Sequence, residues 1–440
     1  MSRPNRFSYH FYPVGQGLFA TGSVRRREER TSRLLWVYDC GTSSSQSLIG
    51  AGIERLEGWA GVRQRIDLLV LSHFDHDHIS GVCRLLRHFT IGTLMLPYMS
   101  LAQRLLVAFN ERESHPSGPE TDFYLNPVAY LLAQEGQRIE RILFVMPSGD
   151  QGPPYPGEPP IPSESGPLAD PRSDFKPRES GEEDEIGPLL QAAEGLSHAT
   201  AVEFLRSGSS VTFGTCLWEF IPYNEDPQEQ IRADFRRAVS IQRDKLLRAP
   251  TSSSRERELA ALKMLYESQF GSGSKERNII SLFLYSGPLY AAWDACSLEW
   301  AASWSWHSPL HYRVRPLPAS RRWRCGIPMD EMRRWRSSIL YSGDGYLDSP
   351  ERLEKLVRYL DERRVRHTGV FQVMHHGSEA NWHQGVAASI SPLFSVFSSD
   401  PGRKEWRHPH APVLRDFARY RTVQVDKETD FTATGVLVKS

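Results

Sequence analysis

Short apolar segments recur along the first half of the chain, and most have the length of a β-strand. Nearly continuous apolar runs are typical of strands that are covered on both faces. The strands predicted in this half lie at residues 7–12, 34–41, 65–71 and 94–97. The helices predicted between and after them lie at residues 47–59, 79–88 and 101–113. Strands alternating with helices in this order predict an α/β domain built of packed layers.

The second half continues the strand pattern but is interrupted by three segments of different composition. Residues 211–221 predict a hairpin, and further predicted strands lie at residues 278–285, 338–344, 370–374, 393–398, 422–425 and 435–438. Residues 147–188 are rich in proline, glycine, serine and acidic residues, which predicts a disordered insertion. Residues 226–275 are charged and predict a helical insertion, and residues 286–337 form an insertion rich in tryptophan and arginine. We therefore expect one domain, spanning residues 1–440, with three insertions.

The run at residues 68–71 leads directly into a dense group of histidines and aspartates. His73, Asp75, Asp77 and His78 follow the strand within a few positions, with His76 between them. Imidazole and carboxylate groups are ligands for Zn²⁺ and for harder divalent metals. A polar, solvated turn is the plain alternative, but the density of these residues favours a metal site, with His76 facing away from it.

Two other predicted strands also end in residues that can bind a metal. Asp344 follows the strand at 338–344, and His375 and His376 follow the strand at 370–374. In isolation, Asp344 reads as a turn aspartate and the two histidines as hydrogen-bonded strand-end residues. Taken with the group after residue 71, they indicate a two-metal site with donors from several strands.

Charge and cysteine content exclude several classes of protein. Lysine plus arginine equals aspartate plus glutamate, at 53 each, so no overall field attracts nucleic acid. The five cysteines are widely spaced and form no CxxC pair, which argues against a disulfide framework. The N-terminus carries no secretory apolar segment, and no apolar run is long enough to span a membrane. These features favour a soluble protein of the cytoplasm.

The order of these motifs resembles the metallo-β-lactamase fold. His73 to His78 reads His-x-Asp-x-Asp-His, whereas the usual form has histidine in the third position. Aspartate at that position is similar to the hydrolase domain of ComEC-type competence proteins. The similarity runs in order through residues 14–17, 39–41, 278–284, 342–344, 375–378 and 407–414. It spans residues 7–440, with the insertions between the motifs.

This resemblance implies an αββα sandwich and two divalent metal ions, either Zn²⁺ or Mn²⁺, with Mg²⁺ as a further candidate. His73 and Asp75 would bind one ion, Asp77 and His78 the other, and Asp344 would bridge them. His375 or His376 would complete the second site, with a preference for His375 because it comes first after the strand. Asp75 in place of histidine makes the first site harder, which favours Mn²⁺ or Mg²⁺ beside Zn²⁺.

The resemblance also implies a mechanism and leaves one ligand open. Two ions about 3.5–4 Å apart would hold a bridging hydroxide, which Asp77 would orient. His408 or His410 would stabilise the developing oxyanion or protonate the leaving group. The family at large has a further histidine before the bridging aspartate. Its candidates here, none in a persuasive context, are His88, His115, His198, His307 and His311.

The function implied by the resemblance is that of a metal-dependent phosphodiesterase or nuclease acting on DNA or a nucleotide-type phosphodiester. It would work as one component of a defence or nucleic-acid-processing system. One alternative is a small-ester hydrolase of the phosphocholine esterase, lactonase or lactamase type. Another is a non-catalytic scaffold with a vestigial metal site. The insertions are candidate surfaces for a protein partner, and the tryptophans of residues 286–337 fit a small inserted core better than a nucleic-acid surface.

Overall fold

A computed structural model describes most of the chain. The described residues are 5–26, 33–62, 64–110, 120–148, 183–194, 200–213, 217–225, 233–270, 281–289, 296–304, 336–403 and 408–439. The strands are β1 (Asn5–Phe11), β2 (Phe19–Arg26), β3 (Arg33–Cys40), β4 (Arg65–Val70), β5 (Thr90–Pro97), β6 (Ile139–Val145), β7 (Ala201–Leu205), β8 (Val211–Phe213), β9 (Trp218–Asn224), β10 (Leu282–Pro288), β11 (Cys296–Trp304), β12 (Ser338–Tyr341), β13 (Thr368–Gln372), β14 (Phe394–Ser398), β15 (Thr422–Val425) and β16 (Phe431–Lys439).

The described helices all lie between these strands along the chain. They are α1 (Gln46–Ala60), α2 (His76–Ile79), α3 (Val82–His88), α4 (Leu101–Asn110), α5 (Glu120–Leu125), α6 (Pro127–Leu132), α7 (Glu183–Glu194), α8 (Ala233–Leu247), α9 (Ser252–Phe270), α10 (Pro350–Leu360), α11 (Glu362–Arg366), α12 (Val386–Ile390) and α13 (Ala411–Phe417). Two 3₁₀ turns, Met374–Gly377 and Glu379–Asn381, follow β13. Within the described ranges, no helix is long and apolar enough to cross a membrane.

The strands form two mixed sheets. The first has the order β11-β16-β1-β2-β3-β4-β5-β6-β7, and its strands from β3 to β7 run parallel. The second has the order β15-β14-β13-β12-β10-β9-β8, and its strands from β12 to β15 run parallel. Parallel strands buried on both faces read as continuous apolar runs, which explains why β4 and β13 were visible in the sequence.

Three apolar clusters show that the two sheets lie between two helical layers. The cluster between the sheets includes Trp36 of the first sheet and Val370 of the second. A second cluster packs the first sheet against helices through residues such as Ile53 of α1. A third packs the second sheet against Leu356 of α10 and Phe417 of α13. The α/β fold class with αββα layering, predicted from the sequence, is therefore confirmed.

The insertions differ in part from their predicted form. The last residues of the segment 147–188 belong to α7, and Ile186 and Leu189 of this helix are buried against the core. Residues 149–182 lie outside the described part of the chain. Within 226–275, α8 and α9 pack together and contact α4. Within 286–337, strand β11 extends the first sheet by pairing with β16, while residues 290–295 and 305–335 are not described.

Candidate metal centre

The segment after β4 lies where the two sheets meet. The carbonyl oxygen of Ser72 accepts a hydrogen bond (2.7 Å) from the backbone nitrogen of Leu282 in β10, and the Tyr38 hydroxyl of β3 donates to the Leu282 carbonyl at 2.6 Å. These contacts join the carboxyl end of β4 to the second sheet. His73 and His78 are buried at this junction, with ring centroids 4.0 Å apart.

The second sheet contributes three residues from the ends of β12 and β13. Because these strands run parallel, Asp344 comes close to His375 and His376. Asp344 is buried, with Oδ1 3.1 Å from His78 Nε2 but not aligned for a hydrogen bond, and Oδ2 3.5 Å from His375 Nε2. Both histidines after β13 have positive φ, 44° and 57°, a conformation that costs energy in residues with a Cβ and that often marks functional sites.

All four clustered imidazoles are held through Nδ1. His78 Nδ1 lies 2.7 Å from Asp39 Oδ2, and His376 Nδ1 lies 2.5 Å from the Ser398 carbonyl oxygen. His375 Nδ1 lies 2.7 Å from Asn381 Oδ1, whose amide nitrogen donates to the Asp344 carbonyl at 2.8 Å. These partners accept, so each Nδ1 is the donor.

His73 follows the same rule through a serine. Ser72 Oγ donates to Asp39 Oδ2 at 2.7 Å, so its proton is used there. It can therefore accept from His73 Nδ1, which lies 2.8 Å away. With Nδ1 as the donor in all four rings, Nε2 is the nitrogen that each imidazole can offer to a metal ion in place of a proton. This is the arrangement that a metal ligand requires.

The Nε2 atoms converge on the carboxylates in two groups. Within each of two sets of three side chains, the potential ligand atoms lie within 4.8 Å of one another: His73, His78 and Asp344 in one, and Asp77, His78 and His376 in the other. His376 Nε2 is 3.0 Å from Asp77 Oδ2. His376, rather than the preferred His375, thus lies with Asp77 and His78.

His375 and Asp75 lie on the His73 side of the cluster. His73 Nε2 is 3.8 Å from Asp344 Oδ2, the oxygen that His375 Nε2 approaches, and 3.8 Å from Asp75 Oδ2. Of the other candidate histidines, His88 pairs with Glu57 on the helical layer at 3.2 Å. His115, His198, His307 and His311 lie outside the described residues.

Burial and opposite charges shift the pKa values of the central groups in opposite directions. Burial raises the pKa of Asp344, but the imidazoles of His375 and His78 outweigh it and hold that pKa well below its ordinary value. Burial lowers the pKa of His78, but Asp344 and Asp39 outweigh it and hold that pKa well above its ordinary value. The pKa of Asp77 is likewise lowered: burial raises it, but His78 and His376 more than offset this. The carboxylates are therefore ionised, as metal ligands must be.

The lowered pKa of His73 shows that the cluster disfavours a further proton. Burial, together with the neighbouring charge of His78, lowers the pKa of His73 to about 3. The ring is therefore neutral at pH 7 and keeps its Nε2 lone pair. A neutral, buried imidazole beside ionised carboxylates suits a divalent cation.

His408 and His410 take different positions. His408 follows β14, and its ring centroid lies 5.6 Å from that of His375 and 6.2 Å from that of His376. Burial, then the charge of His376, lowers its pKa to about 3. His410 Nδ1 accepts a hydrogen bond (2.9 Å) from the backbone nitrogen of Glu379, and its ring centroid lies 4.8 Å from that of His408. His408 therefore lies between the clustered imidazoles and His410 in this chain of ring contacts.

His76 lies outside the cluster. With Phe74 it lines an apolar cavity of about 220 Å³, whose other walls include Phe123 and Tyr130. His73 and Asp77 therefore belong to the cluster, whereas Phe74 and His76 from the same motif line the cavity.

Asp39 is the residue that the sequence reasoning did not assign. It is fully buried and accepts from the Ser72 backbone nitrogen, the Ser72 hydroxyl and His78 Nδ1, each at 2.7 Å. Its signal was present, because Asp39 ends the apolar strand β3, which runs parallel to β4. Carboxylates that orient metal-binding histidines are a general feature of metal sites.

The donor set fits divalent metal ions. His73 Nε2, His78 Nε2 and Asp344 Oδ1 are buried and have no hydrogen-bond partner among the described residues. Buried polar atoms without partners are costly, and here they face one another across a few ångströms. A cation would satisfy them. Mixed imidazole and carboxylate donors suit Zn²⁺ and Mn²⁺. Mg²⁺ fits less well, because it prefers oxygen ligands and several of these donors are imidazoles.

Comparison with known proteins gives only distant structural similarities. No family model and no curated protein matches the chain. The crystal structure of unliganded yeast PDE1 aligns over 96% of this chain and 99% of that chain, at 10% identity and a TM-score of 0.37. A long form RNase Z from yeast aligns over 97% of this chain and 41% of that chain, at 9% identity and a TM-score of 0.33. Neither similarity is close enough to carry a functional argument.

Proposed function

We propose that this protein is a metal-dependent phosphodiesterase that acts on DNA or a nucleotide-type phosphodiester. One observation carries the proposal: four imidazoles, each held through Nδ1, direct Nε2 toward ionised carboxylates contributed by both sheets. A structural role would not require every ring to keep its metal-binding nitrogen facing inward.

The distances support a division of the ligands between two ions. We assign His73, Asp75 and His375 to one ion, Asp77, His78 and His376 to the other, and Asp344 to both. His375 would then take the place of the further histidine that the family at large uses. The two adjacent histidines would serve different ions, which their successive positive φ angles allow.

The bound ions would supply Lewis acidity and lower the pKa of a water molecule toward neutrality. The chain's own residues would do the rest. Asp77, held by His376 at 3.0 Å, would orient the attacking water. His408 borders both His375 and His376, and its lowered pKa leaves the ring neutral at pH 7, so it is the candidate to stabilise the developing oxyanion through a ring N–H.

The choice of substrate rests on the resemblance of the motifs to ComEC-type hydrolase domains. Each motif alone is common, but their order from Gly15 to His410 resembles that branch. The fold hosts many chemistries, so the substrate must be tested directly. Small esters are the competing substrate class, and a vestigial site is the competing non-enzymatic interpretation.

Incubation with single-stranded DNA, double-stranded DNA and small esters under Mn²⁺, Mg²⁺ and Zn²⁺ tests the proposal. We expect DNA or a nucleotide diester to be cleaved, and Asp77→Ala with His78→Ala to abolish cleavage. His76→Ala is the matched control from the same motif and should cut at the parent rate. The proposal fails if DNA and nucleotide diesters stay intact under every metal, or if the double variant cuts as fast as the parent.

The division of the two histidines has its own test. His375→Ala and His376→Ala should each lower the metal content by about one ion per chain. Together they should leave weak binding only. Loss of both ions in one single variant and of none in the other would contradict the assignment.

A further inference from the structure

Tyr346 lies two residues after Asp344, in a loop whose backbone is held at both ends. Asn381 donates from its amide nitrogen to the Asp344 carbonyl at 2.8 Å, and the Leu347 backbone nitrogen donates to the Asn381 carbonyl at 2.8 Å. Asn381 is also the residue that holds His375. The position of Tyr346 is therefore tied to the geometry of the metal centre.

Close packing limits the loop further. A Cβ at Gly345 would collide with the ring of Phe283, which is itself buried in the second sheet. The chain must therefore leave the sheet edge along one path after Asp344, and Tyr346 is the first residue beyond that constriction.

The ring of Tyr346 is restrained by a cation. The Arg352 guanidinium carbon lies 5.2 Å from the centre of the Tyr346 ring. Arg352 is fixed in turn, by Glu225 at 3.3 Å and by Asp348 at 3.2 Å. A guanidinium over an aromatic face attracts the ring and holds it in place. The side chain of Tyr346 is only partly buried, so part of the ring remains open to solvent.

The hydroxyl of Tyr346 has no hydrogen-bond partner among the residues that the structure describes, although backbone and ring are both fixed. A phenol ordinarily has a pKa of about 10, so this hydroxyl keeps its proton at neutral pH. It is a hydrogen-bond donor two residues along the chain from Asp344, whose carboxylate offers only acceptors.

We propose that the Tyr346 hydroxyl donates a hydrogen bond to a non-bridging oxygen of the phosphoryl group of the substrate. This inference rests on the proposed phosphodiesterase function and names a residue that binds its substrate. An anionic phosphoryl group needs donors at its periphery, and a donor fixed in advance stabilises the charge that develops on those oxygens.

Tyr346→Phe removes the hydroxyl and keeps the ring, so it isolates this hydrogen bond. In the full-length, metal-loaded enzyme, we expect kcat/KM for bis(p-nitrophenyl) phosphate to fall by about 10- to 100-fold, below the loss typical of a principal oxyanion donor. Calorimetric binding of inorganic phosphate should weaken about fivefold to tenfold. Bound metal and melting temperature should stay at parent values.

Tyr266→Phe is the matched control. Its hydroxyl donates to the Ala102 carbonyl at 2.7 Å, in the contact between α9 and α4, and it should lower the melting temperature without changing phosphate binding. The inference is overturned if Tyr346→Phe keeps the parent's kcat/KM and phosphate affinity, or if it loses bound metal. A parent enzyme that cleaves no phosphodiester refutes the proposed function instead, and phosphate binding in parent and variant then decides the role of Tyr346.

Discussion

Replacing Asp39 by asparagine should weaken metal binding by changing the protonation of the histidines. Asparagine has almost the shape of aspartate and tolerates the φ of +56° at this position. Its Oδ1 can still accept from the Ser72 backbone nitrogen, which leaves the amide nitrogen where Oδ2 stood. That nitrogen donates, so His78 Nδ1 must accept and Nε2 must carry the proton.

The change extends to His73 through Ser72. In the parent, Ser72 Oγ donates to Asp39 Oδ2. In the variant, it would have to accept from the asparagine amide. Its own proton would then point to His73 Nδ1, 2.8 Å away, and His73 would also protonate Nε2. The reverse orientation of the amide is no better, because its nitrogen would then face the Ser72 backbone N–H, and two donors would meet in a fully buried position.

Loss of a partner that orients a metal ligand costs about 10- to 100-fold in affinity, or about 1.4 to 2.7 kcal/mol. We expect this for Asp39→Asn in calorimetric titrations with Zn²⁺ or Mn²⁺, and nitrogen NMR of the imidazoles should show Nε2 protonated. Asp67→Asn is the control, since Asp67 is a buried aspartate of β4 whose Oδ2 accepts from the Leu35 backbone nitrogen at 2.9 Å, without contacting the cluster. Parent affinity in Asp39→Asn would refute the role of the hydrogen-bond network.

Three further predictions concern stability. Burial lowers the pKa of His10 to about 4, so its stabilising contribution is complete above pH 6.5 and is lost as pH falls toward 4. Relative to His10→Gln, the parent should lose about 2 kcal/mol of unfolding free energy between pH 7 and 4.5. Urea titrations in which the difference between parent and variant does not change with pH would contradict this. Arg364→Met leaves the buried Glu219 carboxylate unpaired and should cost about 3 to 5 kcal/mol, much of which Glu219→Met in the same chain should restore; equal losses in single and double variants would argue against the pair. Gly17→Ala places a Cβ against the backbone of Gly41 and Asp77 at a φ of 148°, so it should lower both the melting temperature and the metal affinity. A variant with the parent's melting temperature and metal affinity would show that the loop can move aside.

The fold was predictable because its central strands are covered on both faces. β4 and β13 appear as apolar runs that end at polar residues, and this made the positions of His73 and His375 visible. Strand β6, Ile139–Val145, has the same apolar character, but it is not among the strands predicted from the sequence, since no group of metal-binding residues follows it directly. Helix α7 was hidden by its setting, since Pro188 lies inside it and proline-rich sequence precedes it.

The site was predictable in its donors but not in their arrangement. Sequence spacing placed Asp77, His78 and Asp344 in one centre, yet it could not divide His375 from His376, because that division follows from two successive positive φ angles. Asp39 and Asn381 act through hydrogen bonds to the far side of an imidazole. Such contacts depend on which strands are neighbours, and sheet order is not written in local sequence.

The number of divalent ions bound per chain tests the central claim most directly. After loading with Mn²⁺ or Zn²⁺ and removal of excess metal, elemental analysis should find two ions per chain in the parent and in His76→Ala. It should find one or fewer when Asp77→Ala and His78→Ala are combined. One ion or fewer per parent chain at saturating metal would contradict the two-metal centre, and with it the two-metal hydrolase that we propose.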